Sequence, residues 1–293
     1  MTGMGVFFQL LVNGILFGSM YGVAAIGLSL IFGSMEIIFI AQGSVMILAA
    51  YCTYFLFHMG QFDPFFSLVF VLPGFMLLGF LMYMVLFRRQ GGLGKDTSLL
   101  VAFGLMILLE NLMSVLWSPD TRAISTSYTG LGLSFWGLEI SLTRLLVFGL
   151  SILAATAVSL WLRLTLTGNA VRAATEHQAA AALMGINAHK VKTITFGIGI
   201  GLAGLAGTAT AVSYSFDPTF GFIFSLKALI AVALGGIGSV TGALLGGIIL
   251  GVLESVGAYV FTGVWANALS YSVFLLVLMI RPEGLFSGGQ RRA

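Results

Sequence analysis

Apolar runs of about 20 residues recur along the whole chain, and no other feature restricts what it can fold into so severely. At the α-helical rise such a run covers about 30 Å, the thickness of bilayer hydrocarbon. The candidate spans are Val6–Ile31, Ile37–Phe57, Phe65–Phe87, Ser98–Trp117, Leu142–Leu162, Ile194–Ser213, Phe220–Leu234, Ala243–Phe261 and Val264–Ile280. The expected class is an all-α membrane protein, a polytopic transmembrane bundle of about eight or nine segments. Some runs are short or glycine-rich, which leaves room for broken or re-entrant helices. A transmembrane barrel would need strands of alternating polarity, whereas Ser67 to Phe87 is apolar on every face. With 59% hydrophobic and 8% charged residues, no aqueous surface of ordinary composition can be built. Residues 1–293 read as one transmembrane domain, because no compositional shift marks a second.

Charge placement orients the bundle. Of 13 basic residues, ten fall in three clusters: Arg88, Arg89 and Lys95; Arg163, Arg172, Lys190 and Lys192; Arg281, Arg291 and Arg292. By the positive-inside rule these mark the cytoplasmic side. Counting back from the first cluster crosses three segments and puts the N-terminus outside, unless an early segment is broken. Clusters separated by spans form no common groove, which argues against nucleic-acid binding. Before the first apolar run there is no basic region, and no small-residue cleavage site follows, so it reads as a retained helix. The stretch Ser118 to Ser141 is the longest polar excursion on the outer side; it reads either as a connection capping the bundle or as a surface for an external partner. Cys52, the single cysteine, forms no internal disulfide.

Small residues recur at helical spacing in Gly14, Gly18 and Gly22, in Gly238, Gly242 and Gly246, and in Gly197, Gly201 and Gly204. Close backbone approach drives helix association in lipid, so these stripes are read first as packing seams. Three ionisable residues fall inside spans: Glu110, Lys227 and Glu254. Each costs on the order of 3 kcal/mol or more in hydrocarbon and needs a partner or a watery cavity. If the chain turns near Gly238, Lys227 and Glu254 differ in depth by only about 5 Å and can pair. Gln42, Glu110, Asn111, Lys227 and Glu254 are the candidate path residues, with a structural pair as the plainer reading for the last two. Glu36, near a span end, can reach water.

The run Gly168 to Asn187 is the most informative soluble piece. Its alanines favour helix, Gly185 and Asn187 supply a stop, and Arg172, Glu176 and His177 form a polar face. It is expected to be one short helix at the membrane surface, suited to docking in a partner's groove. No catalytic or metal site is expected. His58, His177 and His189 are scattered, and neither His-Glu-x-x-His nor Gly-x-Ser-x-Gly occurs. Gly94 and Lys95 lead into Asp96 without Walker A spacing, so no ATPase motif is present.

The pattern of Ala173, Ala174, Glu176, Ala179, Ala180, Leu183 and Gly185 resembles the EAA-type coupling segment of ABC importer permeases. The variant is that of the branched-chain amino-acid (LivH-like) branch. Downstream, Leu226 to Ala228, Gly235 to Ser239, Gly242, Ala243, Gly246, Gly247, Gly251, Leu253, Glu254 and the ending Arg281-Pro282-Glu283-Gly284-Leu285-Phe286 continue the likeness. The chain departs from the family pattern at Gln42, where a histidine is expected, and at Glu110, where a glutamine is. The resemblance implies a bacterial inner-membrane permease for a branched-chain or other apolar amino acid, with urea and organic acids as substrates of wider relatives. It implies two cytoplasmic ATPase subunits, a second (LivM-like) permease subunit and an external solute-binding protein, with ATP bound on the partners and no cofactor on this chain. Arg172, Ala173, Ala174, Glu176, Ala179, Ala180, Leu183 and Gly185 would then meet the ATPase. The competing class is an ion-coupled secondary carrier or channel, which would use the intramembrane charges and no ATPase.

Overall fold

The computed structural model describes residues 3–88, 95–126, 128, 130–135, 138–260, 263–281 and 284–286. Arg89, Gly94, Phe261, Pro282, Glu283, Arg291 and Arg292, named above, lie outside the described residues, as does the side chain of Lys95.

Two helices form the centre. Helix α1 (Gly3–Met35) and helix α8 (Ala188–Ser213) have 83% and 89% of their apolar stretches buried inside the protein, against 22% for α3 (Pro64–Met82, extended by a π turn at Tyr83–Phe87) and for α4 (Lys95–Trp117). Helices that are apolar all round and face protein belong at the core; those that are apolar but exposed face lipid. The small residues decide which helices reach the centre. Along α1, an added Cβ at Gly14 would lie 2.6 Å from Val252 Cα, and one at Gly18 would lie 2.6 Å from Ile248 Cα. Both targets are on α10 (Val240–Val260), so these helices touch backbone to backbone. Helix α10 carries two glycine faces: Gly247 and Gly251 meet α1, while Gly242 and Gly246 meet α9 (Phe220–Gly235). The stripe Gly197, Gly201 and Gly204 on α8 receives Phe80, Met76 and Phe75 of α3.

The second segment is broken. The sequence reads as a helix from Ile37, but residues 36–41 are not helical and α2 runs Gln42–Gly60. Ile37, Ile38 and Ile40 are β-branched and accept extended backbone, and Phe39 wedges between Phe196 and Phe87, with ring centroids 5.1 and 6.1 Å away. The reversal at the end of α1 uses Glu36 at φ 56°, a left-handed conformation that costs a non-glycine residue energy. Gln42 lies beside Gly27 of α1 and Gly199 of α8, about one and a half turns inward from Gly33, so α2 begins within the bilayer.

At the outer end, Asp63 caps α3 by accepting from the Phe65 amide at 2.9 Å, with Pro64 at the first helical position. The Tyr128 hydroxyl also donates to Asp63 Oδ1, at 3.1 Å. Burial, together with that hydrogen bond, pushes the Tyr128 hydroxyl up to about 12, so it stays a donor at physiological pH. Asp63→Ala is expected to lower stability by about 1–2 kcal/mol, read as a reduced thermal midpoint in detergent. An unchanged midpoint would show that the cap contributes nothing. The outer excursion contains an antiparallel hairpin, β1 (Gly132–Phe135) with β2 (Leu138–Ser141), and Gln9 of α1 holds it through the Glu139 backbone. Beside it, Arg122 and Phe216 exchange two backbone hydrogen bonds at 2.8 Å, joining the α4 exit to the α8–α9 connection.

The inner end carries Arg88, Arg163, Arg172, Lys190, Lys192 and Arg281. Helix α5 (Leu142–Leu164) descends to it, α6 (Leu166–Glu176) and α7 (Gln178–Leu183) lie there, and α8 leaves it. Here the expected single helix from Gly168 to Asn187 is two. His177, at φ −153°, ψ 91°, closes α6 and opens α7, although no helix-breaking residue is present. Gly185, at φ 82°, ends the segment as glycine should, but Asn187 starts a helix rather than stopping one: its side chain accepts from the His189 and Lys190 amides at 3.0 and 3.2 Å and caps α8. Helices α9 and α10 turn through Gly236 and Gly238, both at positive φ, and α11 (Gly263–Ile280) returns to the inner face. Leu285 then donates its amide to the Leu234 carbonyl, fastening the tail under that turn. Among the described residues seven helices are long and apolar enough to span a bilayer, and α9 and α11 contribute shorter apolar stretches.

Candidate functional site

The intramembrane charges are placed by the central helices. Lys227 on α9 and Glu254 on α10 form the ion pair that their depths allow, with side chains 12% and 21% exposed. Tyr21 of α1 completes the site: its hydroxyl accepts from Lys227 Nζ at 3.1 Å, and its ring lies 4.9 Å from the same ammonium. The Tyr21 hydroxyl sits 3.4 Å from that of Tyr214, whose ring packs on Phe17 at 5.1 Å. Above them Arg144 covers the Phe17 ring at 4.1 Å and donates to Asn13 Oδ1 at 3.0 Å. The result is a polar thread along α1 from the outer end to mid-membrane. Sequence reading found its two charges but missed Tyr21, Tyr214 and Arg144. The signal available was the repeat Asn13, Phe17, Tyr21, one residue per helical turn.

Glu110 occupies a second site. Helix α4 buries a narrow line, Ser98, Ala102, Met106, Leu109 and Met113, and Glu110 lies at its edge, partly exposed. Ser44 Oγ donates to its Oε1 at 3.3 Å, and the same oxygen lies 3.0 Å from where a Cβ on Gly221 would stand. Ser44 is in the first turn of α2 and Gly221 in the first turn of α9, so the carboxyl lies beside two helix N-termini. The neighbouring contacts are tight: Gly43 donates its amide to Ser225 Oγ at 2.8 Å, and Ser225 in turn bonds the Ile40 carbonyl. Gln42 is fully buried, reaching the Ala24 and Gly199 carbonyls at 3.4 Å, while its Oε1 has no partner. Asn111 is exposed and folds back onto the Ile107 carbonyl at 2.8 Å. The five intramembrane candidates therefore do not converge: Lys227 and Glu254 make one site, Glu110 another, and Gln42 faces α1 and α8. Ser44 and Ser225 were not singled out in the sequence, where a serine in an apolar run reads as packing.

At the inner face, Ala174 of α6 and Ala181 of α7 point inward and are buried, while Arg172, Glu176, Ala179, Ala180 and Gly185 are exposed. Leu183 and Met184 are 89% and 83% exposed, an apolar tip at the end of α7 that none of the described residues covers. On the other side, Thr175 abuts both Gly33, near the end of α1, and Gly238, in the α9–α10 turn. A cavity of about 290 Å³ lies behind the α6–α7 break, lined by Gly33, Ser34, Glu36, Thr175, Glu176 and His177. Among the described residues no group of three His, Cys, Asp or Glu is placed to hold a metal ion.

Seven long apolar helices, a polar thread beside a second carboxylate within an apolar helix, and an exposed helical pair at the inner end define a polytopic helical membrane protein. Residues 10–280 match the family described as the branched-chain amino acid transport system / permease component, and the chain belongs to that family. It is 32% identical to the high-affinity branched-chain amino acid transport system permease protein BraD of Pseudomonas aeruginosa, over 95% of both chains. It is 29% identical to the corresponding LivH of Escherichia coli, again over 95% of both. A more distant likeness, 29% over 55% of this chain and 52% of the relative, is to the ribose import permease protein RbsC of Haemophilus influenzae.

Proposed function

We propose that this chain is the transmembrane permease subunit of an ABC importer carrying branched-chain or other apolar amino acids across a bacterial inner membrane. The observation that carries the reading is the α6–α7 pair. It exposes the Leu183–Met184 tip outward while Thr175 bears on the ends of α1 and the α9–α10 turn. A solvent-facing apolar tip favours a partner. The element behind it gives that partner leverage on the centre of the bundle.

In this scheme two cytoplasmic ATPase subunits bind and hydrolyse ATP, a second related permease completes the passage, and an external binding protein delivers substrate. This chain supplies neither nucleotide chemistry nor a cofactor site. Leu183 enters the ATPase groove, Glu176 and Arg172 meet charged groups at its rim, Ala173, Ala174, Ala179 and Ala180 keep the segment slim and helical, and Gly185 provides the turn into α8.

Two substitutions test the assignment. Glu176→Lys is expected to leave the protein inserted and folded, because Glu176 is exposed; Gly185→Pro cannot adopt the φ of 82° and loses the Gly185 amide bond to Ala182, so it should leave the spans inserted while distorting the turn between α7 and α8. Both should reduce substrate-stimulated ATP hydrolysis in the reconstituted complex by about tenfold, equivalent to about 1.4 kcal/mol of lost coupling. Full coupling in both variants would remove the role assigned to this segment. If the tagged chain captures no ATPase and still drives uptake into ATP-free vesicles, the protein is a secondary carrier.

A further inference from the structure

Thr175 meets the core at two places, Gly33 near the end of α1 and Gly238 in the α9–α10 turn. The first belongs to a continuous helix, the second to a turn. Gly236 and Gly238 stand at φ 93° and 81°, and two glycines at positive φ within three residues give the backbone wide freedom. A displacement delivered at Gly238 is absorbed there unless the turn is braced. Gly235 and Gly242 hold its base, and on the α1 side the Gly238 amide donates to Ser29 Oγ at 3.0 Å.

A further brace comes from the tail that follows α11. The last carbonyls of a helix have no partner within it, and the Leu285 amide supplies one to Leu234 at 2.8 Å, from a segment remote in sequence. Gly284, buried and at φ 91°, lies directly on the turn: a Cβ there would stand 2.7 Å from both N and Cα of Gly236 and 2.8 Å from the Ala233 carbonyl oxygen. Glycine alone combines that φ with the missing Cβ. We propose that Gly284 and Leu285 are positioning residues for transport, a strap that stiffens the α9–α10 turn so that movement of α6 passes into α9 and α10. This rests on the permease reading above. Gly33 still receives Thr175, so losing the strap weakens coupling without abolishing it.

The test uses the complete permease–ATPase complex with its binding protein in proteoliposomes, reading leucine taken up per ATP hydrolysed. Hydrogen exchange of residues 234–240 is measured on the same complex without nucleotide. Gly284→Val introduces the clash, a chain stopped after Arg281 removes the strap outright, and Phe286→Ala, at an exposed side chain, is the control. In both strap variants the turn amides should exchange at least about tenfold faster. ATP hydrolysis should continue while uptake per ATP falls at least about fivefold. Phe286→Ala should match the parent in every measurement. Faster exchange with unchanged uptake per ATP overturns the coupling role, and unchanged exchange in both strap variants overturns the brace. Loss of folded protein in both also overturns the proposal, because the strap would then serve folding alone. A parent complex without ATP-driven uptake defeats the permease reading, and the strap's role with it; that result is read in the parent before any variant is compared.

Discussion

Gly18→Val is expected to prevent the bundle from assembling. The new Cβ would lie 2.6 Å from the α10 backbone at Ile248, and backbone cannot move aside as a side chain can. The two most intimate helices would have to separate, at a cost on the order of 4 kcal/mol or more. Folded, monodisperse protein in mild detergent should fall to a small fraction of the parent yield. The matched control is Gly104→Val on α4, where nothing lies within 4 Å of the added Cβ. If Gly18→Val and Gly104→Val give the same yield, close packing of α1 on α10 does not hold the bundle together.

The second large effect concerns Lys227 and Glu254. Lys227→Met leaves a carboxylate unpaired in the membrane, and breaking a buried pair from one side costs about 3–5 kcal/mol. Glu254→Leu leaves the ammonium with only the Tyr21 hydroxyl and ring. Both single variants should lose folded protein. The double variant, with no charge left to desolvate, should regain most of it, since replacing a buried pair by apolar side chains is often neutral or better. Uptake by the double variant separates two roles for the pair. Parent-like transport makes it a structural clasp between α9 and α10; a folded but inactive double variant would give it a part in the transport cycle.

Much of this was legible from residue spacing. Run length gave the polytopic helical class, and helical rise gave the common depth of Lys227 and Glu254, because both follow from fixed geometry. The glycine stripes announced close packing, but not that α10 has two glycine faces meeting different helices; that depends on how the chain returns. Two features were not legible. The extended residues 36–41 look apolar enough for helix, and only Phe39 lodged between Phe87 and Phe196 explains the conformation. The break at His177 interrupts an alanine-rich run whose local preference is helical, so tertiary context overrides propensity there. Within the sites, the charged members could be named in advance because charge in lipid is expensive. Their uncharged partners, Ser44, Tyr21 and Tyr214, could not, because each is brought in from a remote segment.

The glycine contacts between α1 and α10 also divide the molecule mechanically. Side chains that interdigitate can slide by changing rotamer, but two backbones in contact have no such slack. Helices α1 and α10 therefore travel as one rigid body, and the α9–α10 turn travels with them through Gly235 and Gly242. Thr175 touches that body twice at its inner end, at Gly33 and at Gly238. A displacement applied at the inner face moves the whole core as a piston, and the sliding surfaces are left to the sparsely buried α3, α4 and α5 around it.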